Sequence, residues 1–241
     1  MTKKLTLKAS MDDQRFVLDN RFDVAIPVCL VETQDELYAE CYPIVRRTLR
    51  LHVSRYEGRL FSRDSLADLQ SAVLPLLAPY GYEDDCHRNR VYRIYRANTK
   101  EAPMPSDDGV HMFVYGGETP YRNKTTLHLE DGLARGCLAV CIEIGGEIVS
   151  AVQTHGAIDE NTRLAEVTVE TAPAARGKGY ATRALLEMRR LLAERFIVME
   201  YRVSERNRAS ITCAERAGLV HIGHAYYYVL RYRKEKDRNG L

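Results

Sequence analysis

Residues 164–182 read Leu-Ala-Glu-Val-Thr-Val-Glu-Thr-Ala-Pro-Ala-Ala-Arg-Gly-Lys-Gly-Tyr-Ala-Thr. The alternation from Ala165 to Thr171 predicts a strand, and a Pro-containing turn ends it. Arg176-Gly177-Lys178-Gly179 follows, and a long amphipathic helix begins. That order puts free backbone N–H groups and the positive end of a helix beside a strand terminus, which is a place for phosphate. It is not a Walker loop, because no Ser or Thr follows Lys178 and the two glycines are too close. It is not a dinucleotide fingerprint either. Thr182 stands where the third glycine belongs, and no acidic residue ends a second strand about 20 residues on.

The elements around the loop are legible from periodicity. Apolar Ala181, Ala184, Leu185, Met188, Leu191 and Leu192 give one buried face to a helix over 179–195. Residues 196–203 predict a strand. Ser204-Glu205-Arg206-Asn207 opens a second helix over 208–217, with Gly218 as its C-terminal cap. Residues 219–233, rich in Tyr and Val, read as one long strand or a hairpin.

Two motifs in this region agree in order and distance with one family. The first is Val169-X-Thr171-X-Pro173-X-X-Arg176-Gly177-X-Gly179-Tyr180-Ala181. The second is Asn207-X-X-Ser210-X-X-X-X-Glu215-X-X-Gly218-Leu219. Over roughly 135–232 the chain resembles the GNAT superfamily, the acyl-CoA-dependent N-acyltransferases. The resemblance implies an α/β (α+β) fold, with a mixed, mostly antiparallel central sheet flanked by helices. It implies acetyl-CoA as donor, with Val169, Thr171, Arg176, Gly177, Lys178, Gly179, Tyr180, Ala181, Asn207 and Ser210 around it. In the family the loop wraps the pyrophosphate and the Asn contacts the pantetheine arm. The fourth strand, here 164–171, parts from the fifth, here 196–203, and the pantetheine amides pair with it. The acyl carbonyl is then expected at a backbone N–H near Val169 to Thr171. No metal is expected, and the two glycines are expected because a Cβ would intrude on the phosphates.

The catalytic residues are less determined. Many members carry a general-acid Tyr where this chain has Ala214; a subset similar to the ribosomal-protein alanine acetyltransferases also has alanine there. Tyr226, Tyr227 or Tyr228 could supply a phenol, and Tyr226 is the candidate. The positions of a strand-four base are Ala165 and Val167, both apolar. Glu166 and Glu170 are candidates on the opposite face by alternation, unless a bulge changes the parity. His155 is a further candidate. The bound amine could also lose its proton through water, with proximity doing much of the work. Transfer of acetyl to a primary amine of a small molecule or peptide is the expected activity. The alternative is a non-catalytic acyl-CoA sensor that has lost acid and base.

The 241 residues allow one large domain or two small ones. A net charge of +2, with both signs interleaved, does not point to nucleic acid. No run reaches the apolar length of a membrane span, and Met1-Thr-Lys-Lys is not followed by a signal-peptide core. A cytoplasmic monomer or homodimer is expected. The six cysteines lack CxxC spacing and read as buried thiols. Leu138–Ile144 and Glu147–Thr154 around Gly145-Gly146 read as a hairpin. Upstream, 34–53 and 64–78 read as helices, 91–96 and 110–115 as strands, and 97–109 as a loop or linker. The division expected is an N-terminal α/β region over 1–120, a GNAT domain over 121–233, and a solvated tail over 234–241. The first region is expected to serve the acceptor, as a degenerate GNAT-like half or as a lid.

Overall fold

A computed structural model describes residues 3–9, 24–85, 88–97, 109–158 and 161–232. The proposed tail, Cys86 and most of the 97–109 loop lie outside the described residues. Contacts divide the chain into two compact units, 1–92 with 223–241, and 93–222. The first cut therefore falls well before residue 120, and the last strand is shared between units.

The first unit opens with β1 (Leu5–Ala9), β2 (Val24–Thr33) and β3 (Leu37–Cys41), followed by helices α1 (Arg46–Arg55) and α2 (Arg63–Leu77) and the short β4 (Tyr82–Asp84). Strand β5 (Arg90–Arg96) passes from the first unit into the second. The second unit continues with β6 (His111–Val114), β7 (Arg122–Asn123), α3 (Leu129–Ala134), β8 (Cys137–Ile144), β9 (Glu147–Ala157), β10 (Leu164–Thr171), α4 (Tyr180–Glu194), β11 (Val198–Ser204) and α5 (Arg208–Arg216). Strand β12 (Val220–Tyr232) returns to the first unit.

In the first unit the strand order is β1-β3-β2-β12, with β4 also on β12. Only the β1–β3 pair is parallel. Leu49 of α1 and Leu69, Val73 and Leu77 of α2 join Val28, Leu30, Tyr226, Tyr228 and Leu230 in one buried core. The helix expected over 34–53 is corrected here. Residues 37–41 form β3, paired on both sides, with Leu37, Tyr38, Ala39 and Cys41 all buried. A central strand shows an apolar run without alternation, which periodicity alone does not separate from a helix. Tyr42, held extended before Pro43, ends the strand, and a 3-10 turn over Pro43–Val45 leads into α1. The second expected helix, 64–78, agrees with α2, whose Ser62 cap accepts from Ser65 N–H.

The second unit holds the order β5-β11-β10-β9-β8-β6, with β7 on β9. The β8–β9 hairpin turns at Gly145-Gly146 as expected, and β12 is one strand rather than a hairpin. Helix α4 buries Ala184, Leu185, Met188 and Leu192 against Val140, Val152, Val167 and Met199. Five described cysteines are free and buried; burial pushes the Cys141 thiol up to about 12. No helix among the described residues is long and apolar enough to cross a membrane.

Two buried polar groups govern how these units hold together internally. In the second, Arg189 of α4 is buried, and its Nη1 donates to the carbonyls of Ala217 (3.1 Å) and Gly218 (3.2 Å). It thereby satisfies the open C-terminus of α5. Arg189→Ala leaves those carbonyls without a donor and should cost about 1–3 kcal/mol, read from urea unfolding. In the first, His52 is buried between α1 and α2, with Nε2 2.9 Å from Ser65 Oγ and Nδ1 3.6 Å from Asp68. Burial holds its pKa below 6.5 in spite of Asp68, and Arg55 adds to the lowering. The unfolded chain therefore takes up this proton first, so the contribution to stability is full above pH 6.5 and is lost as pH falls. Urea midpoints should drop on acidification below that point, and His52→Gln should flatten the drop.

Candidate active site

Strands β10 and β11 run parallel and pair from Leu164↔Val198 to Val167↔Tyr201. There the pairing stops, although β10 continues to Thr171 and β11 to Ser204. On its other edge β10 stays paired with β9 out to Thr171↔Ser150. Ser150 Oγ fixes that end, 2.8 Å from Thr171 Oγ1 and 3.2 Å from the Glu170 carbonyl, to which it donates. The far half of β10 thus presents a free edge inside a wedge between two strands.

The loop beyond β10 closes one side of the wedge. Ala172 N–H donates to the Val149 carbonyl, Pro173–Ala175 form a 3-10 turn, and Arg176 is extended. Gly177 and Gly179 have φ of 78° and 81°, conformations that only glycine adopts readily. A Cβ at either would meet no protein atom within 4 Å. Positive φ, rather than crowding by the protein, is what requires glycine here, and the space above both is left open. Gly179 caps α4 without a side chain, and the N–H groups of Gly177 through Thr182 find no backbone acceptor among the described residues. The first turn of α4 holds no acidic residue, so the positive helix end is not neutralised from within.

These elements enclose a cavity of about 630 Å³. Val169, Glu170 and Thr171 form its strand wall, and Arg176, Gly177, Gly179, Tyr180 and Ala181 its loop wall. Asn207 and Ser210 line it from α5. The structure therefore brings nine of the ten expected donor-binding residues together; Lys178 is exposed and does not line the cavity. Asn207 is also the N-terminal cap of α5, with Oδ1 accepting from Ser210 N–H at 3.1 Å. Arg176 folds back onto the strand end, with Nε donating to the Thr171 carbonyl at 3.1 Å and Nη2 to Glu170 at 3.2 Å.

The catalytic candidates are scattered. The registers of β10, over 164–167 with β11 and over 167–171 with β9, run without a shift, so no bulge changes its parity, and Glu166 and Glu170 share a face. Glu170 lines the cavity and is held by Arg176. Glu166 does not line it. Its carboxylate is 3.4 Å from both His155 Nδ1 and Arg202 Nε. Arg202 also donates to Glu200 at 2.8 Å, and Arg96 donates to the other oxygen of Glu200 at 2.7 Å. Glu166 is thus one member of a charged row across four strands, anchored on a fully buried Glu200. Tyr226 belongs to the core of the first unit, is 2% exposed, and accepts from Gln70 at 2.8 Å. Burial raises its pKa, and it does not line the cavity. Ala165, Val167 and Ala214 are buried in the core beneath α4 and offer no polar atom.

Several groups near the cavity escaped the sequence reading. Tyr201, at the last paired position of β11, is buried, with Ser210 as a polar neighbour of its phenol. Burial pushes this phenol up to about 12. Thr182 Oγ1 lies 3.3 Å from Cys213 Sγ and ties the start of α4 to α5. Arg208, Thr212 and Arg216 line the cavity from one face of α5. Their i, i+4, i+8 spacing was the available signal.

The comparisons with known proteins agree with this geometry. A family model, Acetyltransferase (GNAT) family, matches residues 92–219. A GNAT-family protein from Novosphingobium aromaticivorans is similar in structure, with a TM-score of 0.51 and 21% identity over 64% of this chain and 69% of that one. A GCN5-related N-acetyltransferase-like protein from Streptococcus suis matches over 88% of each chain, at 13% identity and a TM-score of 0.47. No curated protein matches. With a family model spanning more than half of its length and the wedge, loop and helix start in place, the chain belongs to the GNAT acetyltransferase family.

Proposed function

We propose that this protein transfers acetyl from acetyl-CoA to a primary amine of a small molecule or peptide by direct attack. The observation that carries the reading is the free edge of β10 leading into the N–H groups of Gly177 to Thr182, which find no backbone acceptor among the described residues. An extended chain bearing amides and ending in a diphosphate fits that sequence of partners. The edge of Thr168–Thr171 would take the pantetheine amides, and the amides of Gly177 to Thr182 the pyrophosphate. Open space over Gly177 and Gly179 fits the close approach of phosphate oxygens. Asn207, with Oδ1 committed to its helix, has its amide N–H groups left to donate.

The donor supplies a thioester, an acyl group already activated toward amines. The chain's own part is to hold that carbonyl at a strand N–H near Val169 to Thr171 and to keep the amine in line with it. Glu170 is the carboxylate on the cavity wall, paired with Arg176 beside the loop. Glu166, one residue before the pairing ends, has His155 as a half-exposed neighbour to which a proton could pass. Tyr201 and Ser210 place two hydroxyls at the closed end of the wedge. The acceptor is proposed to be read by the first unit, since the family match begins only at residue 92. A cytoplasmic setting goes with this reading.

A sensor that binds acyl-CoA without turnover is the second reading. It is favoured by the buried apolar Ala165, Val167 and Ala214 at the positions of acid and base. Thiol release from acetyl-CoA over a panel of amines, peptides and aminoglycosides separates the two. Turnover on any amine supports transfer, and tight binding with none supports the sensor.

The donor site has its own test. Coenzyme A at about 100 times Kd should stabilise the protein by roughly 2.7 kcal/mol. Gly179→Trp should abolish that gain by filling the phosphate pocket, at a cost of about 1–3 kcal/mol for the left-handed backbone. Circular dichroism should remain native. Undiminished coenzyme A stabilisation in this variant would refute the placement of the loop.

A further inference from the structure

Strand β9 is regular on one edge and irregular on the other. Toward β10 its register runs without a shift through Thr168↔Gln153 and Val167↔Thr154, and one step further His155 faces Glu166. Toward β8 it slips. Cys137 pairs with Ala157 and Ala139 with Gln153, so two steps along β8 are matched by four along β9. The β8 edge thus carries a bulge of two extra residues. Without it, the register of Ala139 would run on to pair His155 with Cys137, leaving His155 bonded between two strands.

A bulge takes backbone groups out of the ladder, and here one side chain meets them. Thr154 is 4% exposed. Its Oγ1 accepts from Leu138 N–H at 3.0 Å and donates to the Gly156 carbonyl at 2.7 Å. The hydroxyl stands in for the partners that a regular ladder would supply. What the bulge releases is His155, half exposed, with Nδ1 3.4 Å from Glu166 Oε1. Arg202 lies 3.4 Å from the other oxygen of Glu166 and is itself bonded to the buried Glu200. A carboxylate beside Nδ1 favours the proton on that nitrogen and leaves the Nε2 lone pair to accept another. An imidazole with a fixed carboxylate behind it is the form a general base takes.

We infer, resting on the acetyl-transfer reading, that His155 is the proton acceptor for the amine, with Glu166 and Thr154 as its positioning residues. Glu166 orients the ring, and Thr154 holds the bulge that frees it. The amine arrives as an ammonium, and one proton must leave before its lone pair can attack the thioester carbon. That proton goes to Nε2, and Glu166 faces the imidazolium so formed. The C–N bond then forms, the C–S bond breaks, and the second amine proton goes to the departing thiolate. His155 returns its proton to solvent. Glu166 stands three residues from Val169, about 10 Å along β10, so the first transfer runs through water.

Steady-state thiol release, with acetyl-CoA and the fastest amine of the panel above, tests this. His155→Ala should lower kcat at least roughly tenfold with KM for acetyl-CoA unchanged, and added imidazole should restore part of the loss. The ring is half exposed, so folding should survive. Glu166→Gln should also lower kcat, and the His155→Ala/Glu166→Gln double variant should be no slower than His155→Ala alone. Thr154→Val, which keeps the shape and removes the hydroxyl, should lower kcat in the same way, and Thr154→Ser should keep it. Unchanged kcat in His155→Ala would overturn the proton acceptor and leave acetyl transfer standing. Multiplied losses in the double variant would overturn the orienting role of Glu166. A Thr154→Val variant that is fully active, or that does not fold, would overturn the positioning role of Thr154, with His155→Ala still deciding the acceptor. No turnover by wild-type protein on any amine would remove both readings.

Discussion

Everything at the site depends on one interruption of backbone pairing. Strands β10 and β11 bond normally as far as Val167 and Tyr201 and then part. Unpaired strand groups are costly if buried and sticky if exposed. Here they face a cavity, where a ligand with its own amides can satisfy them. The interruption also makes room for the N-terminus of α4, whose N–H groups would otherwise press against a closed sheet. Two sets of unmet donors and acceptors, one from a strand and one from a helix, are thus produced by a single divergence.

The surroundings keep the wedge from closing. Ser150 pins the end of β10 to β9, so the strand cannot swing across to β11. Arg189 ties α4 to the end of α5, and the Thr182–Cys213 contact ties the start of α4 to the second half of α5. The two helices are fixed at two points along their length, which sets the width of the cavity between their N-terminal turns. Behind them, apolar Ala165 and Val167 pack under α4. Packing has taken these positions, and the ionisable groups of β10 all lie on its other face.

The parts of this arrangement that were legible in the sequence are those encoded locally. The β10 alternation, the glycines of the loop, the apolar face of α4 and the Asn207 cap each announce themselves within a few residues. The family resemblance then joined them over a distance. What was not legible depends on pairing between distant segments. Residues 37–41 looked helical because a strand bonded on both sides needs no polar face. Strand β2 went unread for the same reason, being buried along most of its length. Tyr226 looked available because three tyrosines stand in a row. Its pairing with Leu30 and its bond to Gln70 turn it into the core of the first unit. Glu166 was visible as a carboxylate, but its partners His155 and Arg202 come from two other strands.

Strand β12 has a consequence for the order of assembly. The second unit is one continuous stretch, 93–222, and all its strands are in hand once that stretch has left the ribosome. The first unit is begun earlier but needs residues 223–232 to pair with both β2 and β4. Its loop closure spans most of the chain, which makes that step late and slow relative to the local contacts of the other unit. Synthesis order and completion order are therefore inverted: the segment made earlier waits for one made about two hundred residues later.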